Sequence, residues 1–494
     1  MKKLLLVIKL LLSMRRHEFR AARTWISTMY PGKKLIHRLL LFFTWSLKTM
    51  WRTIPNSNDQ VQFKKPVSRT PVWLRDKNPL ENHPWEGSSH LKLPVSAEVV
   101  VIGAGFAGAG AAYHWSRHGK DKMVILEMNE AASGSGGRNA GVVTMGRYYY
   151  YVHSTVLKNL EKSRPDLSEE KRVATAHEFA RPYVIAGVKS NNMIEQTIKD
   201  EGIECDYVKK GWVWTTDEES IDKPIAAQQM GEETGFSDWI SISKEEAMEK
   251  AGIKTNNNAG HSRGTANWHP AKWIWGLFQV ALKSSNVELY TRTKVNAVKD
   301  EGDHYEIHTN RGMITARYVI NATESHTPSL FKEFHDILKA GQTQAAFGNS
   351  HGGTMEQGVA ISTPQMFFSR TKDGILMGSD MSVVPDEEAG SNQPSRFITK
   401  YVAAFLKPFF CIKKIQVTHE WSGTVGMTPD EFPLIGLQDD KRLYIVGGMA
   451  GSGSGVSFLA TQFVIFKILN IDGPDYYPEK YFSPRRFFKR STNC

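Results

Sequence analysis

The chain has 494 residues, of which 41% are hydrophobic and 11% aromatic, and its formal net charge is +11. Residues 1–52 hold twelve basic residues and one acid, so this segment carries the whole positive excess. The remaining 442 residues balance 50 basic against 50 acidic residues, which argues against the basic surface expected of a nucleic-acid-binding protein. Three widely spaced cysteines form neither a metal-ligand spacing nor a disulfide framework, so we expect no metal and a reducing compartment.

The basic segment, residues 1–52, predicts an amphipathic helix. Lys2, Lys9 and Arg16 recur every seven residues, and Arg20 follows four residues later. Its apolar runs are too short to span a bilayer, which takes roughly 18 residues or more. Such a helix suits an anionic membrane surface or a transit peptide, and an ordinary solvated arm is the alternative. We therefore expect an intracellular protein that contacts the cytoplasmic face of a membrane or is targeted to an organelle.

Residues 53–95 have the composition of a proline-rich linker. Two tryptophans within it, Trp73 and Trp85, indicate that this stretch packs against the rest of the protein.

A nucleotide-binding pattern follows at residue 96. Residues 99–102 are apolar and mostly β-branched, as in a buried parallel strand, and the pattern G-x-G-x-x-G comes directly after them. Gly103 permits a tight turn, Gly105 lets a pyrophosphate approach the backbone, and Gly108 allows close packing of helix and strand. The phosphates would then lie at the N-terminus of the helix that follows.

A second apolar strand, residues 123–126, ends at Glu127, about 20 residues beyond the glycines. An acid in this place can accept hydrogen bonds from ribose hydroxyls. Strand, glycines, helix, second strand and acid together predict a dinucleotide site, which NAD or FAD could occupy.

Two more glycine-rich stretches indicate further ligand contacts. Residues 132–141, Ala-Ser-Gly-Ser-Gly-Gly-Arg-Asn-Ala-Gly, can present backbone N–H groups to phosphate or ring oxygens. Residues 443–448 read as a buried strand, and the sequence Gly-Ser-Gly-Ser-Gly at 451–455 opens another helix. Elsewhere the periodicity predicts helices within 148–259, a helix at 271–282, an antiparallel sheet over 341–379 and one helix over 397–409.

The glycine fingerprint, the loop at 132–141, residues 420–436 and the segment at 451–455 together resemble the D-amino-acid oxidase (DAO) superfamily of FAD-dependent oxidoreductases. The resemblance covers residues 96–487 and is nearest the γ-glutamylputrescine oxidase-like branch. It implies an α/β (α+β two-domain) fold: a Rossmann-like FAD-binding domain and a mainly antiparallel substrate-binding domain. The implied FAD part is 96–147, 260–335 and 417–475, and the implied substrate part is 148–259 and 336–416.

The resemblance also implies which residues bind FAD. Gly103, Gly105 and Gly108, with Phe106 and Ala107 between them, would hold the pyrophosphate, and Glu127 the adenosine ribose. The remaining implied contacts lie along the diphosphate, the adenine and the flavin: Ser135, Gly136, Arg138, Asn139, Val295, Gly448, Ser452, Gly453 and Gly455.

Three departures from the family pattern shape the expected chemistry. Many amino-acid oxidases carry an arginine, which pairs with the substrate carboxylate, where this chain reads Thr-Val-Gly-Met at 424–427. Gly423 lies in the region where covalent-flavin relatives have a cysteine, so we expect non-covalent FAD. Ser454 replaces a histidine found near the flavin in relatives.

We expect hydride transfer from an amine-bearing carbon to the flavin, followed by hydrolysis of the imine. Oxygen or a quinone would accept the electrons. Candidate pocket residues are Arg147, Tyr148, Phe368 and Trp421, and no catalytic residue is assigned because hydride transfer demands no base. Two alternatives stay open: a hydroxy-acid or polyol-phosphate dehydrogenase that feeds membrane quinone, and a flavoprotein assembly factor.

Overall fold

The computed structural model describes residues 60–88, 90–144, 148–379, 393–439 and 441–488, together with residues 5, 33–38, 40, 41 and 44. The residues of the predicted basic stripe, and the pocket candidate Arg147, lie outside these ranges. Within them, no helix is both long enough and apolar enough to cross a membrane.

The strands are, in chain order, β1 (Gln60–Ser68), β2 (Ser96–Ile102), β3 (Met123–Leu126), β4 (Val142–Val143), β5 (Trp212–Thr215), β6 (Trp239–Ile242), β7 (Ala259–Ser262), β8 (Ala266–Asn267), β9 (Val287–Tyr290), β10 (Val295–Asp300), β11 (Tyr305–Thr309), β12 (Gly312–Asn321), β13 (Lys339–Asn349), β14 (Ala360–Ser362), β15 (Met366–Thr371), β16 (Gly374–Ser379), β17 (Lys414–Met427), β18 (Leu434–Leu437) and β19 (Leu443–Gly447). The helices are α1 (Phe106–His118), α2 (Tyr149–Ser163), α3 (Glu169–Glu201), α4 (Lys223–Thr234), α5 (Lys244–Ala251), α6 (Pro270–Ala281), α7 (Thr327–Leu330), α8 (Arg396–Ala403), α9 (Leu406–Phe410), α10 (Gly453–Leu469) and α11 (Glu479–Phe482).

An eight-stranded sheet forms the first domain. Its centre is parallel, in the order β19–β12–β2–β3–β9, and β10, β11 and β18 pair antiparallel at its margins. Val100 is fully buried and pairs with Val319 on one side and Val124 on the other. Strands buried on both faces explain the continuous apolar runs of the sequence. The predicted Rossmann-like architecture is confirmed.

A nine-stranded sheet forms the second domain, in the order β1–β17–β13–β16–β15–β14–β5–β7–β6. Its pairs are antiparallel except β1 with β17 and β14 with β5, so the prediction of a mainly antiparallel second domain is confirmed. Strand β17 lies in this sheet, although its residues from 417 onward fall in the stretch predicted for the FAD part. One face packs against α8 and α9, and the other faces the first domain.

The expected helix over 397–409 is two helices, α8 and α9. Pro408 has no N–H to donate to the carbonyl four residues earlier, and its ring collides with that carbonyl. A single helix through this stretch is therefore unfavourable.

Residues 60–88 run across both domains. Strand β1 extends the nine-stranded sheet, and Arg69 pairs with the buried carboxylate of Glu420 in β17 at 3.1 Å. The Trp73 indole N–H donates to the Asn139 carbonyl at 2.8 Å, and that of Trp85 donates to the Thr291 carbonyl at 2.6 Å. The stretch with linker composition is thus packed, as its two tryptophans indicated.

Candidate cofactor and substrate site

The glycine fingerprint lies where β2 ends and α1 begins. A Cβ atom at Gly103, whose φ is +111°, would lie 2.6 Å from the Ala322 carbonyl oxygen, and one at Gly108 would lie 1.9 Å from the Gly103 carbonyl oxygen. Neither position tolerates a side chain, because an added Cβ atom would collide with a backbone carbonyl oxygen at both. A Cβ at Gly105 would meet nothing within 4 Å, so open space lies directly before the helix.

The N-terminus of α1 is prepared for an anion. No side chain caps it, and its first turn, which includes Phe106 and Ala107, contains no acid. The N–H groups of a first helical turn lack partners within the helix, and the helix dipole favours negative charge there. Together with the space at Gly105, this geometry fits a pyrophosphate.

Glu127 follows β3 at the same edge of the sheet. Its carboxylate oxygens accept the N–H groups of Ala104 and Asn129 at 2.9 and 2.8 Å. Burial raises the pKa of this carboxyl group, and the N–H bonds oppose that rise. The Thr293 N–H donates to the Glu127 carbonyl at 2.7 Å, which brings the chain before Val295 to the same edge. This end of the edge fits the adenosine half of a dinucleotide.

The loop at 132–141 is held against β17 by its own side chains. The Ser135 hydroxyl donates to the Thr424 carbonyl at 2.8 Å, and Arg138 donates to the carbonyls of Ser133 and Ser422 at 3.0 and 3.2 Å. The Asn139 amide donates to the Gly136 carbonyl at 2.6 Å. These side chains shape the loop, so direct contacts between them and FAD stay a prediction.

The second glycine segment joins β19 to α10. Gly448, Ala450 and Gly451 all have positive φ, and α10 starts after Ser452 with no side-chain cap and no acid in its first turn. A Cβ at Gly455 would lie 1.5 Å from the Thr144 carbonyl oxygen, so the helix packs directly on the chain after β4. Gly453 lies in the first turn of this helix.

These segments all belong to the carboxyl edge of the parallel sheet, where open α/β sheets bind their ligands. The Thr144 hydroxyl is buried there with no hydrogen-bond partner in the described part of the chain. Two uncapped helix N-termini, an acid after β3 and a free hydroxyl beside α10 fit a long ligand with a central diphosphate. FAD has this form.

The pocket candidates that the structure describes lie in three different places. Tyr148 packs its ring on Trp239 at 4.1 Å between centroids. Phe368, 1% exposed, packs on Phe410 on the face that α8 and α9 cover, away from the first domain. Trp421 is fully buried, and its indole N–H donates to the Arg138 carbonyl at 2.8 Å. Trp421 therefore lies where β17 meets the loop at 132–141, and Tyr148 lies beside the tryptophans of β5 and β6.

An aromatic surface around Tyr148 was missed by sequence reasoning. Val213 packs in the core beneath the helices, so its neighbours on β5, Trp212 and Trp214, point the other way and contact Tyr148 and Tyr151. The Tyr151 hydroxyl is buried without a hydrogen-bond partner in the described residues, and burial raises its pKa. The alternation Trp-Val-Trp-Thr was the signal, because strand residues two apart share a face.

Comparison with known proteins agrees with this geometry. Residues 98–462 match the DAO family, described as FAD dependent oxidoreductase. The chain belongs to this family. It is 21% identical over 389 residues to the gamma-glutamylputrescine oxidoreductase of Escherichia coli, which covers 76% of this chain and 84% of that protein. It is 24% identical over 408 residues to a D-amino acid dehydrogenase of Helicobacter pylori, covering 76% of this chain and 95% of that protein.

Among solved structures, glycine oxidase from Geobacillus kaustophilus has the same fold, with a TM-score of 0.64 and 15% identity over 79% of this chain and 98% of that one. The predicted family and fold class are therefore confirmed, and the protein is an FAD-dependent oxidoreductase of the DAO family.

The two glycines of the fingerprint should respond differently to alanine. Gly105→Ala adds a methyl group in open space, so the flavin-free protein should unfold like the wild type while the Kd for FAD rises at least about tenfold. Gly108→Ala forces the helix away from Gly103 and should also destabilise the flavin-free protein by about 1–3 kcal/mol. FAD fluorescence titration and urea unfolding measure the two effects. Unchanged FAD affinity in Gly105→Ala would contradict the assignment of the pyrophosphate site.

Proposed function

We propose that this protein oxidises a small amine or amino-acid-like substrate at a carbon that bears the amine. FAD, when bound, supplies the acceptor for the hydride. The imine product then hydrolyses in water. The observation that carries this proposal is the aromatic surface around Tyr148, on the face of the nine-stranded sheet opposite α8 and α9. The names of the Escherichia coli and Helicobacter pylori relatives, an amine and an amino-acid oxidoreductase, support the same substrate class.

The chain's own residues would prepare the amine. Only a neutral amine has the lone pair that assists hydride loss, and an apolar wall lowers the pKa of an ammonium group. Tyr148, Trp212, Trp214 and Trp239 form such a wall. The unpartnered Tyr151 hydroxyl is free to bond a polar atom of the substrate.

We propose that FAD is held without a covalent bond. Gly423 replaces the cysteine of covalent relatives, and a Cβ there would lie 3.2 Å from the Arg138 Cβ. In the described part of the chain, Cys205 is buried and Cys411 caps the end of α9. Neither belongs to the segments that line the cofactor edge.

Anaerobic reduction of the bound flavin tests the substrate class. We expect amines to bleach the visible flavin band and to release ammonia or a smaller amine. If a hydroxy acid or polyol phosphate bleaches the band and no amine does, the protein is instead a hydroxy-acid or polyol-phosphate dehydrogenase. A protein that keeps its flavin and responds to neither class would act as an assembly factor instead.

The stretch at 424–427, which lacks the arginine of many amino-acid oxidases, gives a second test. Val425 lies two residues beyond Gly423 on the same face of β17 and is partly exposed. We expect the wild type to prefer amines without an α-carboxylate. Val425→Arg should lower the KM for α-amino acids, about tenfold for a good guanidinium–carboxylate pair. Val425→Leu is the matched control, and an equal change in both variants would contradict the argument.

We also propose that residues 1–52 bring the protein to an anionic membrane surface, which would favour a quinone over oxygen as electron acceptor. Deletion of residues 1–52 ends before β1 and should leave flavin content unchanged. Sedimentation of the shortened chain with vesicles that contain acidic lipids should fall to the level seen with neutral vesicles. Equal sedimentation of the full and shortened chains would remove this proposal.

A further inference from the structure

One acid lies at the centre of the cofactor edge without any assigned role. Glu324 follows the carboxyl end of β12, the strand between β2 and β19. The neighbouring Ala322 carbonyl touches the turn at Gly103, and a Cβ at Gly447 would lie 3.5 Å from the Glu324 Cα. Glu324 therefore lies between the two glycine segments that the cofactor would link.

The Glu324 carboxylate joins the two domains. Its Oε1 accepts the Gly426 N–H of β17 at 2.9 Å, and both oxygens lie 3.3 Å from the Met449 nitrogen, whose N–H they accept. The Ala450 N–H donates to the Gly426 carbonyl at 3.1 Å. The same turn adds a contact between the hydroxyls of Ser325 and Thr424 at 2.9 Å.

No ion pair among the described residues accounts for the burial of the Glu324 carboxyl group. In the described part of the chain, no lysine, arginine or histidine pairs with Glu324, and its only hydrogen-bond partners are backbone N–H groups. Burial raises the pKa of its carboxyl group, against the opposing effect of those N–H bonds. Its φ of +52° is a conformation that costs a residue with a side chain free energy. Burial and the positive φ both cost free energy, and the hydrogen bonds to the Gly426 and Met449 N–H groups offset that cost.

We propose that Glu324 is a positioning residue for FAD: it holds the loop at 448–452 against β17 and so sets the width of the groove that receives the flavin half. The inference rests on FAD as the cofactor and on its flavin end lying along this loop. The Glu324 oxygens supply acceptors that the Gly426 and Met449 N–H groups otherwise lack. Without them, these N–H groups would turn to water or to the ligand, and the loop would lose its fixed distance from β17.

The test compares Glu324→Leu with Glu324→Gln in the full chain. Both replace Glu324 with a side chain that is unbranched at Cβ, at the same positive φ, but only glutamine keeps a carbonyl acceptor. Leucine should raise the Kd for FAD about tenfold and shift the visible band of bound FAD toward that of free FAD, whereas glutamine should raise it no more than about threefold. Glu333→Leu, in the same connection but bonded to Gln438, is the matched control and should bind FAD like the wild type.

Each outcome decides the matter. FAD binding by Glu324→Leu that equals the wild type overturns the proposal. Equal losses in the leucine and glutamine variants would assign the effect to charge and overturn the role as an acceptor. A fall in the unfolding temperature of flavin-free Glu324→Leu that accounts for its weaker binding would show a general structural role instead. If the wild type binds no FAD, the proposed function fails together with this inference, whereas variants that bind normally overturn the inference alone.

Discussion

The site depends on one constraint, the close approach of backbone to backbone at the carboxyl edge of the parallel sheet. Gly108 lies against the Gly103 carbonyl, and Gly103 against the Ala322 carbonyl. These contacts bring α1 and the connection after β12 to the same edge, and they leave the space before Gly105 open. A single Cβ would separate the elements. The positions of the other groups that we propose contact the cofactor follow, because the strands that carry those groups are parallel and end together.

The second domain is attached to this edge at a few points. Strand β17 belongs to the nine-stranded sheet, yet its last residues meet the loop at 132–141 through Ser135 and Arg138 and meet the Glu324 turn through Gly426. These bonds use backbone groups of β17 almost entirely. Side chains at its partly exposed positions, such as Val425, take no part in these bonds.

Patterns of local sequence predicted the first domain well. The glycines, the apolar strands and Glu127 are close in the chain, and their spacing reflects contacts made within one β–α–β unit. The helix that starts at Pro270 is also local and was found. The division of 397–409 into two helices was missed, although Pro408 was its visible cause. The aromatic candidates for a substrate pocket were harder to place. Phe368 and Trp214 both lie in short apolar strands, and only the assembled sheet decides which face each side chain occupies.

The sequence by itself determined the family, the cofactor class and the positions that require glycine, since these follow from steric rules along short stretches of chain. Only the tertiary structure decided that Tyr151, Trp212 and Trp214 share one surface, that residues 60–88 contact both domains, and that Glu324 bridges β17 and the loop at 448–452. The physical reason is that such contacts join residues up to several hundred positions apart. Their formation depends on register, twist and the packing of two sheets, and no local periodicity records that arrangement.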